Sequence, residues 1–170
     1  MDEYVLNWRQ TDPRFNLEEA WPAQQFPNAE FRWFRDAGCL VCSLAVLLRH
    51  AGIEEEADEN RFNPLILNRR LIDCGAFDSA ADLELSLVSL LYPLESIGAV
   101  PYSRAALHQA AERGLPCLVT VPGSNAERHF TALLRGLPDD AVVYDPLCGE
   151  RKLSSYDRVC EIRMFRYIAE

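Results

Sequence analysis

A chain of 170 residues with 49% hydrophobic side chains carries enough apolar surface to bury a sizeable core as one domain over residues 1–170. Its 17 basic against 26 acidic residues, a net charge of −9, argue against nucleic acid or an anionic membrane as the main partner, because either needs a basic face to displace counterions. No basic-then-apolar N-terminus and no apolar run near the ~18 residues of a span is present, so the expected location is the cytosol, or a host compartment reached by delivery as an effector.

Residues 1–35 are rich in aromatics, Pro, Asn and Gln and lack a sustained period, which predicts an irregular segment wrapped over the core, with Trp8, Trp21 and Trp33 packing it down. The stretch 39–50, "CLVCSLAVLLRH", predicts a helix apolar around most of its circumference and therefore central, with Gly52 as the left-handed residue after its last turn. The acidic run from Glu54 to Glu59 reads as a solvated loop. An Asn-Pro start predicts a short helix from about Pro64 to Cys74, "SAADLELSLVSLLYP" another with Leu83, Leu87, Leu90 and Leu91 inward, and "SRAALHQAAERG" a third, capped by Ser103 and closed by Gly114.

After Gly114 the texture changes. "LPCLVTVPG", "HFTALLRGL", "DAVVYDPL" and "RVCEIRMFRYI" are short runs rich in β-branched and aromatic residues between Gly, Pro and Asp turns, the second and third joined through "GLPDD" as a hairpin. A mainly helical part (36–114) followed by a mainly β part (115–170) is an α+β arrangement.

Six cysteines without an export signal do not make a disulfide framework and are read as thiols, five of them as small hydrophobes of the core. Cys39 is the exception. It follows Gly38 at the start of the central helix, where unpaired N–H groups and the positive end of the dipole stabilise an anion, and the thiolate is the nucleophilic form. Gly38 is expected to let a substrate carbonyl approach the backbone without a Cβ in the way. A redox CxxC with Cys42 would need a preceding strand, and a zinc site two further ligands, but Cys74, Cys117, Cys148 and Cys160 are scattered singly. No metal or cofactor is expected, and Cys42 is expected to face the core.

His129 opens a strand and Asp145 ends the next one. In an antiparallel hairpin those two ends are neighbours, the geometry of a general base and its orienting carboxylate. A side-chain amide suits the remaining task, an oxyanion donor, and Gln10 in "RQTDPRF" precedes the nucleophile, although Gln24 and Gln25 are also available. Blander readings stay open for each residue: Cys39 as buried core, His129 as an ordinary strand-end histidine, Asp145 as an Asp-Pro turn. His50 at a helix C-terminus reads as a cap, and His108 as exposed.

The order of "QTDPRF", "AGCLVCSLAVLLRHAG", "NPLILNRRL", "RGLPCLVTV", "HFTALLRG" and "YDPLCGERKLSSYDRV", from about residue 10 to 163, resembles the papain-like cysteine peptidases, in particular the C39-like branch related to the bacteriocin-processing peptidases. The resemblance implies a papain-like cysteine proteinase fold, its helical half packed on a C-terminal antiparallel sheet, in a bacterial or phage setting. It implies a peptide or protein substrate and a Cys nucleophile, His base, orienting Asp and oxyanion-binding Gln, roles that fall on Cys39, His129, Asp145 and Gln10. Leu40, Val41 and Cys42 replace the small residues or Gly-Pro that many members carry after the nucleophile. That departure keeps open a catalytically inactive peptide-binding module, and the same triad would also serve acyl transfer.

Overall fold

The computed structural model describes residues 8–14, 16–54, 58–123, 128–136 and 141–168. The chain runs from a segment of turns into a short helix α1 (Phe34–Ala37), a long helix α2 (Cys39–His50) and a third, α3 (Pro64–Asp73). After these come a 3₁₀ helix (Leu85–Leu90), strand β1 (Leu94–Pro101), helix α4 (Arg104–Glu112), and strands β2 (Cys117–Val121), β3 (His129–Arg135), β4 (Val142–Asp145), β5 (Gly149–Lys152) and β6 (Glu161–Tyr167). The six strands form one antiparallel sheet in the order β1-β6-β2-β3-β4-β5.

The helices lie where their caps put them. The Asn63 side chain accepts from Ile66 N with Pro64 opening α3, and Ser103 accepts from Ala106 N to open α4. Gly52, at φ 68, continues the chain beyond α2 in the left-handed region. Eight of the twelve residues of α2 are buried, so this helix is the centre of the core and not its cover.

The sheet is covered on both faces, and strand alternation sorts its side chains between them. Leu118, Ala132, Leu134, Val142, Tyr144 and Phe165 join α2, α3 and the N-terminal aromatics in the larger core. Cys117, Val119, Leu133, Val143 and Ile162 join Leu107 and Ala110 of α4 in a second one. Every residue of β2 is buried, which explains why "CLVTV" shows no polar alternation.

Three elements differ from the sequence expectation. The sheet is not wholly C-terminal, since β1, at one edge, comes from within the part read as mainly helical. Its Gly98 (φ 106) sits at a bulge against β6, and an edge strand tolerates Pro101. In 81–91 only a 3₁₀ helix forms: Leu83 is drawn into a bridge with Phe77, the Glu84 side chain accepts from Ser86 N, and Leu90 and Leu91, expected inward, are exposed. Polar β5, flanking β4, gives no strand signal at all and takes its state from its partner. Of the hairpin turn between β3 and β4, residues 137–140 lie outside the described residues, as do 55–57 of the acidic run. The ends of that run are not simply solvated: Glu54 pairs with Arg70 at 3.2 Å, and Glu59 accepts from Trp8 Nε1 at 3.3 Å and pairs with Arg14.

The thiols divide more widely than expected. Cys42 and Cys117 are buried, and burial pushes both up, Cys117 to about 12. Cys39, Cys74 and Cys160 are half-buried, and Cys148 is exposed, so five cysteines in the core is an overcount.

Candidate active site

Four elements meet in one cleft. Cys39 begins α2, His129 begins β3, Asp145 ends β4, and Gln10 belongs to the N-terminal turns. Ala132 pairs with Tyr144, so one further step along the ladder sets Asp145 two residues from His129 on the same face. From there His129 Nε2 donates to Asp145 Oδ1 at 2.7 Å in a pocket where both residues are buried. With Nε2 committed, Nδ1 is the ring nitrogen left for the Cys39 thiol, which contributes to the environment of the imidazole.

The charges follow from these contacts. Burial works against a charged His129, but the hydrogen bond to Asp145 and the contact with Cys39 override it and raise the ring to about 9 from an ordinary 6.5. Burial likewise opposes an ionised Asp145. Hydrogen bonds from His129, Tyr156 Oη (2.5 Å to Oδ2) and Leu147 N (2.8 Å to Oδ1) nevertheless hold the carboxyl at about 2.

The nucleophile end is built by α1 and α2 together. Gly38 joins them, with its N–H on Phe34 O at 2.7 Å and its carbonyl accepting from Cys42 N at 2.8 Å. A continuous helix would give the Cys39 N–H to Arg35 O. That carbonyl accepts instead from Gln10 Nε2 at 2.6 Å, and among the described residues the Cys39 N–H makes no backbone hydrogen bond. Gln10 is fixed from its other side by its own N–H on Pro146 O at 3.0 Å, which ties it to the turn after Asp145. Gln24 and Gln25 are exposed, whereas Gln10 is buried.

Gly38 has a different structural reason from the one the sequence suggests. A Cβ there would lie 2.4 Å from Phe34 O and 2.7 Å from the Phe34 ring, so the demand comes from α1 packed beneath it. Ser43, one turn on from Cys39, donates to Phe130 O at 2.8 Å and pins α2 to β3 next to His129. Neither Ser43 nor Tyr156 stands out in the sequence. A serine inside an apolar helix and a tyrosine in an irregular stretch are both common, and only the fold brings them to the site.

The cleft has two lobes that share Phe31, Asp36, Cys39 and Arg128. One, of about 220 Å³, adds Gln10, Thr11, Arg35, Gly123, His129 and Leu147. The other, of about 250 Å³, is walled by Trp21, Leu40, Val41, Phe77, Leu83 and Phe130 and rimmed by Glu30 and Asp82. Trp21 therefore both packs the N-terminal segment and faces the cleft, while Trp8 is fully buried and Trp33 is exposed. Cys42 is fully buried and lines neither lobe. His50 ends α2 exposed, and His108 is exposed and pairs with Glu112 at 3.1 Å. Among the described residues, no group of three or more His, Cys, Asp or Glu could hold a metal ion, and no helix is long and apolar enough to cross a membrane.

No family model matches the chain, and no curated protein matches it. Among solved structures it is similar to a double-glycine motif protease from an AMS/PCAT transporter, determined in complex with the leader peptide. The TM-score is 0.43 and the identity 24%, over 74% of this chain and 83% of that one.

Proposed function

We propose that this chain is a C39-like cysteine peptidase or amide hydrolase of papain-like fold, formed as one domain. The observation that carries the reading is the convergence of a thiol at a helix start, a buried imidazole and a carboxylate on three separate elements, with the His129–Asp145 hydrogen bond at 2.7 Å. The order of the motifs, Gln before Gly-Cys before His-Phe before Asp-Pro, supports the same assignment.

In the proposed cycle His129, held charged below about pH 9, already carries the proton given up by Cys39, and the sulfur attacks the substrate carbonyl carbon. The oxyanion is received by the Cys39 N–H and by the second N–H of the Gln10 amide, the first being held by Arg35 O. Collapse breaks the C–N bond, and His129 gives its proton to the departing amine. Water then attacks the thioester, loses its proton to His129 and releases the acid and the thiol. Asp145 keeps the ring in the orientation that serves both steps.

The acid that protonates the amine has to lie beside it, so the departing part of the substrate belongs in the lobe that His129 lines. The acyl part then occupies the apolar lobe between Leu40, Val41, Phe77 and Leu83. Cys42 turns into the core and adds no bulk to the cleft, which removes part of the ground for a binding-only module. The test is incubation of the full chain with a diverse peptide library and mass spectrometry of the products. Cleavage by the parent and none by Cys39→Ala, with equal melting temperatures, is the expected result. Undiminished cleavage by the variant refutes the reading. Products carrying an added amine would redirect it to acyl transfer.

A further inference from the structure

Asp145 is more than the partner of one imidazole. Its Oδ1 accepts from His129 Nε2 and Leu147 N, and its Oδ2 accepts from the Tyr156 hydroxyl at 2.5 Å. Tyr156 follows the 3₁₀ turn Leu153–Ser155, on a segment that contributes no other group to the triad. Its phenol is itself held. The Arg151 guanidinium stacks on the ring at 4.0 Å from its centre, and that same side chain is fixed through Nε on Ser155 Oγ (2.9 Å) and Nη2 on Ser155 O (3.2 Å). A carboxylate with a free Oδ2 could rotate about its Cβ–Cγ bond or exchange oxygens on the imidazole. With the phenol donating to the second oxygen, the plane of the carboxylate is fixed from two directions.

We propose that Tyr156, clamped by Arg151, is a positioning residue for catalysis, which fixes the rotation of the Asp145 carboxylate and so sets the direction in which His129 faces Cys39. The inference rests on the hydrolase reading above and extends it by one residue that touches neither substrate nor nucleophile. Donation to Oδ2 stabilises only the charged form of Asp145, so the phenol hydroxyl and the imidazole N–H act in the same sense on the carboxylate. The phenol itself is held protonated: burial first, and then the adjoining carboxylate, push its ionisation upward.

Tyr156→Phe removes the hydroxyl and leaves the ring for Arg151 to stack on. Two readouts on the full chain separate positioning from mere packing. The first is the carbon NMR titration of the Asp145 carboxyl. In the parent it is expected to stay ionised down to about pH 3, and in the variant to protonate at higher pH, toward the ordinary 3.8. The second is turnover of a cleaved peptide, with kcat expected to fall roughly 10-fold while KM is unchanged, the scale of one hydrogen bond to a charged group. An Asp145 titration and a kcat equal to the parent's overturn the inference. Arg151 Nη1 also stands 3.9 Å from Asp145 Oδ2, so its charge has to be kept in any second variant. Should Tyr156→Phe melt below the assay temperature, Arg151→Lys, which keeps a positive charge and the phenol hydroxyl but loses the flat stacking on the ring, is expected to move the titration in the same direction by less, and no movement there also overturns it. The titration needs no substrate. A parent that cleaves nothing therefore refutes the hydrolase reading separately, and a working parent with an unaltered variant refutes only the role of Tyr156.

Discussion

The proposed chemistry depends on the charge of two buried side chains. His129 has its folded value raised to about 9 from 6.5, so its stabilising contribution is fully present below pH 6.5 and is lost as pH rises through about 9. Asp145 is depressed to about 2 from 3.8, so its contribution is present above 3.8 and is lost as pH falls through about 2. His129→Gln is therefore expected to destabilise the chain most between about pH 3.8 and 6.5, on the order of 3 kcal/mol, and progressively less up to about pH 9. Urea unfolding of parent and variant at a series of pH values measures this, and a difference independent of pH would show that the imidazole is not held charged. Turnover by the parent is expected to decline above about pH 9, as the ring loses the proton it must give to the leaving amine. The residues behind these statements were legible in the sequence because Cys39, His129 and Asp145 each sit at the end of an apolar element, where a polar side chain needs a reason. Tyr156 carried no such signal, since it becomes special only when the chain after β5 folds back on Asp145.

At the scale of the element, the site depends on how α1, α2 and β3 are joined. α2 carries the thiol and its Ser43 bonds to Phe130 O, which fixes the distance from helix start to strand start through a contact one turn below the reacting groups. Gly38 sets the α1–α2 junction. Gly38→Ala places a Cβ against Phe34 O at 2.4 Å with φ already ordinary at −73°, so the cost is steric and α1 has to move. The expected loss is about 1–3 kcal/mol, which at this chain length lowers the melting temperature by roughly 2–4 °C per kcal/mol. A thermal melt indistinguishable from the parent would mean that the junction is free to shift. The three α-helices α2, α3 and α4 were legible from their caps and terminating glycines, chemistry local to a few residues. β1 and β5 were not, because an edge strand with Gly and Pro, or with the polar residues "GERK", is made by its pairing partner and not by its own preference.

At the scale of the whole molecule, one antiparallel sheet is covered by α2, α3 and the N-terminal segment on one face and by α4 on the other. The α+β class was readable from the change of texture at Gly114. The sheet's reach back to residue 94 was not, since strand order is a property of long-range pairing. The cleft lies where the N-terminal turns, the start of α2 and the β3–β4 pair meet, so its assembly needs the fold entire. That gives the most direct test of the central claim: alkylation of the full chain with iodoacetamide, followed by peptide mass spectrometry of every cysteine, in the parent and in His129→Ala. Accessibility alone ranks exposed Cys148 ahead of half-buried Cys39, and fully buried Cys42 last. With Cys39 and His129 acting as a pair, Cys39 is expected to be modified first in the parent and to lose this advantage in His129→Ala. Cys148 reacting first, with the rate at Cys39 unchanged by the loss of His129, would contradict that pairing.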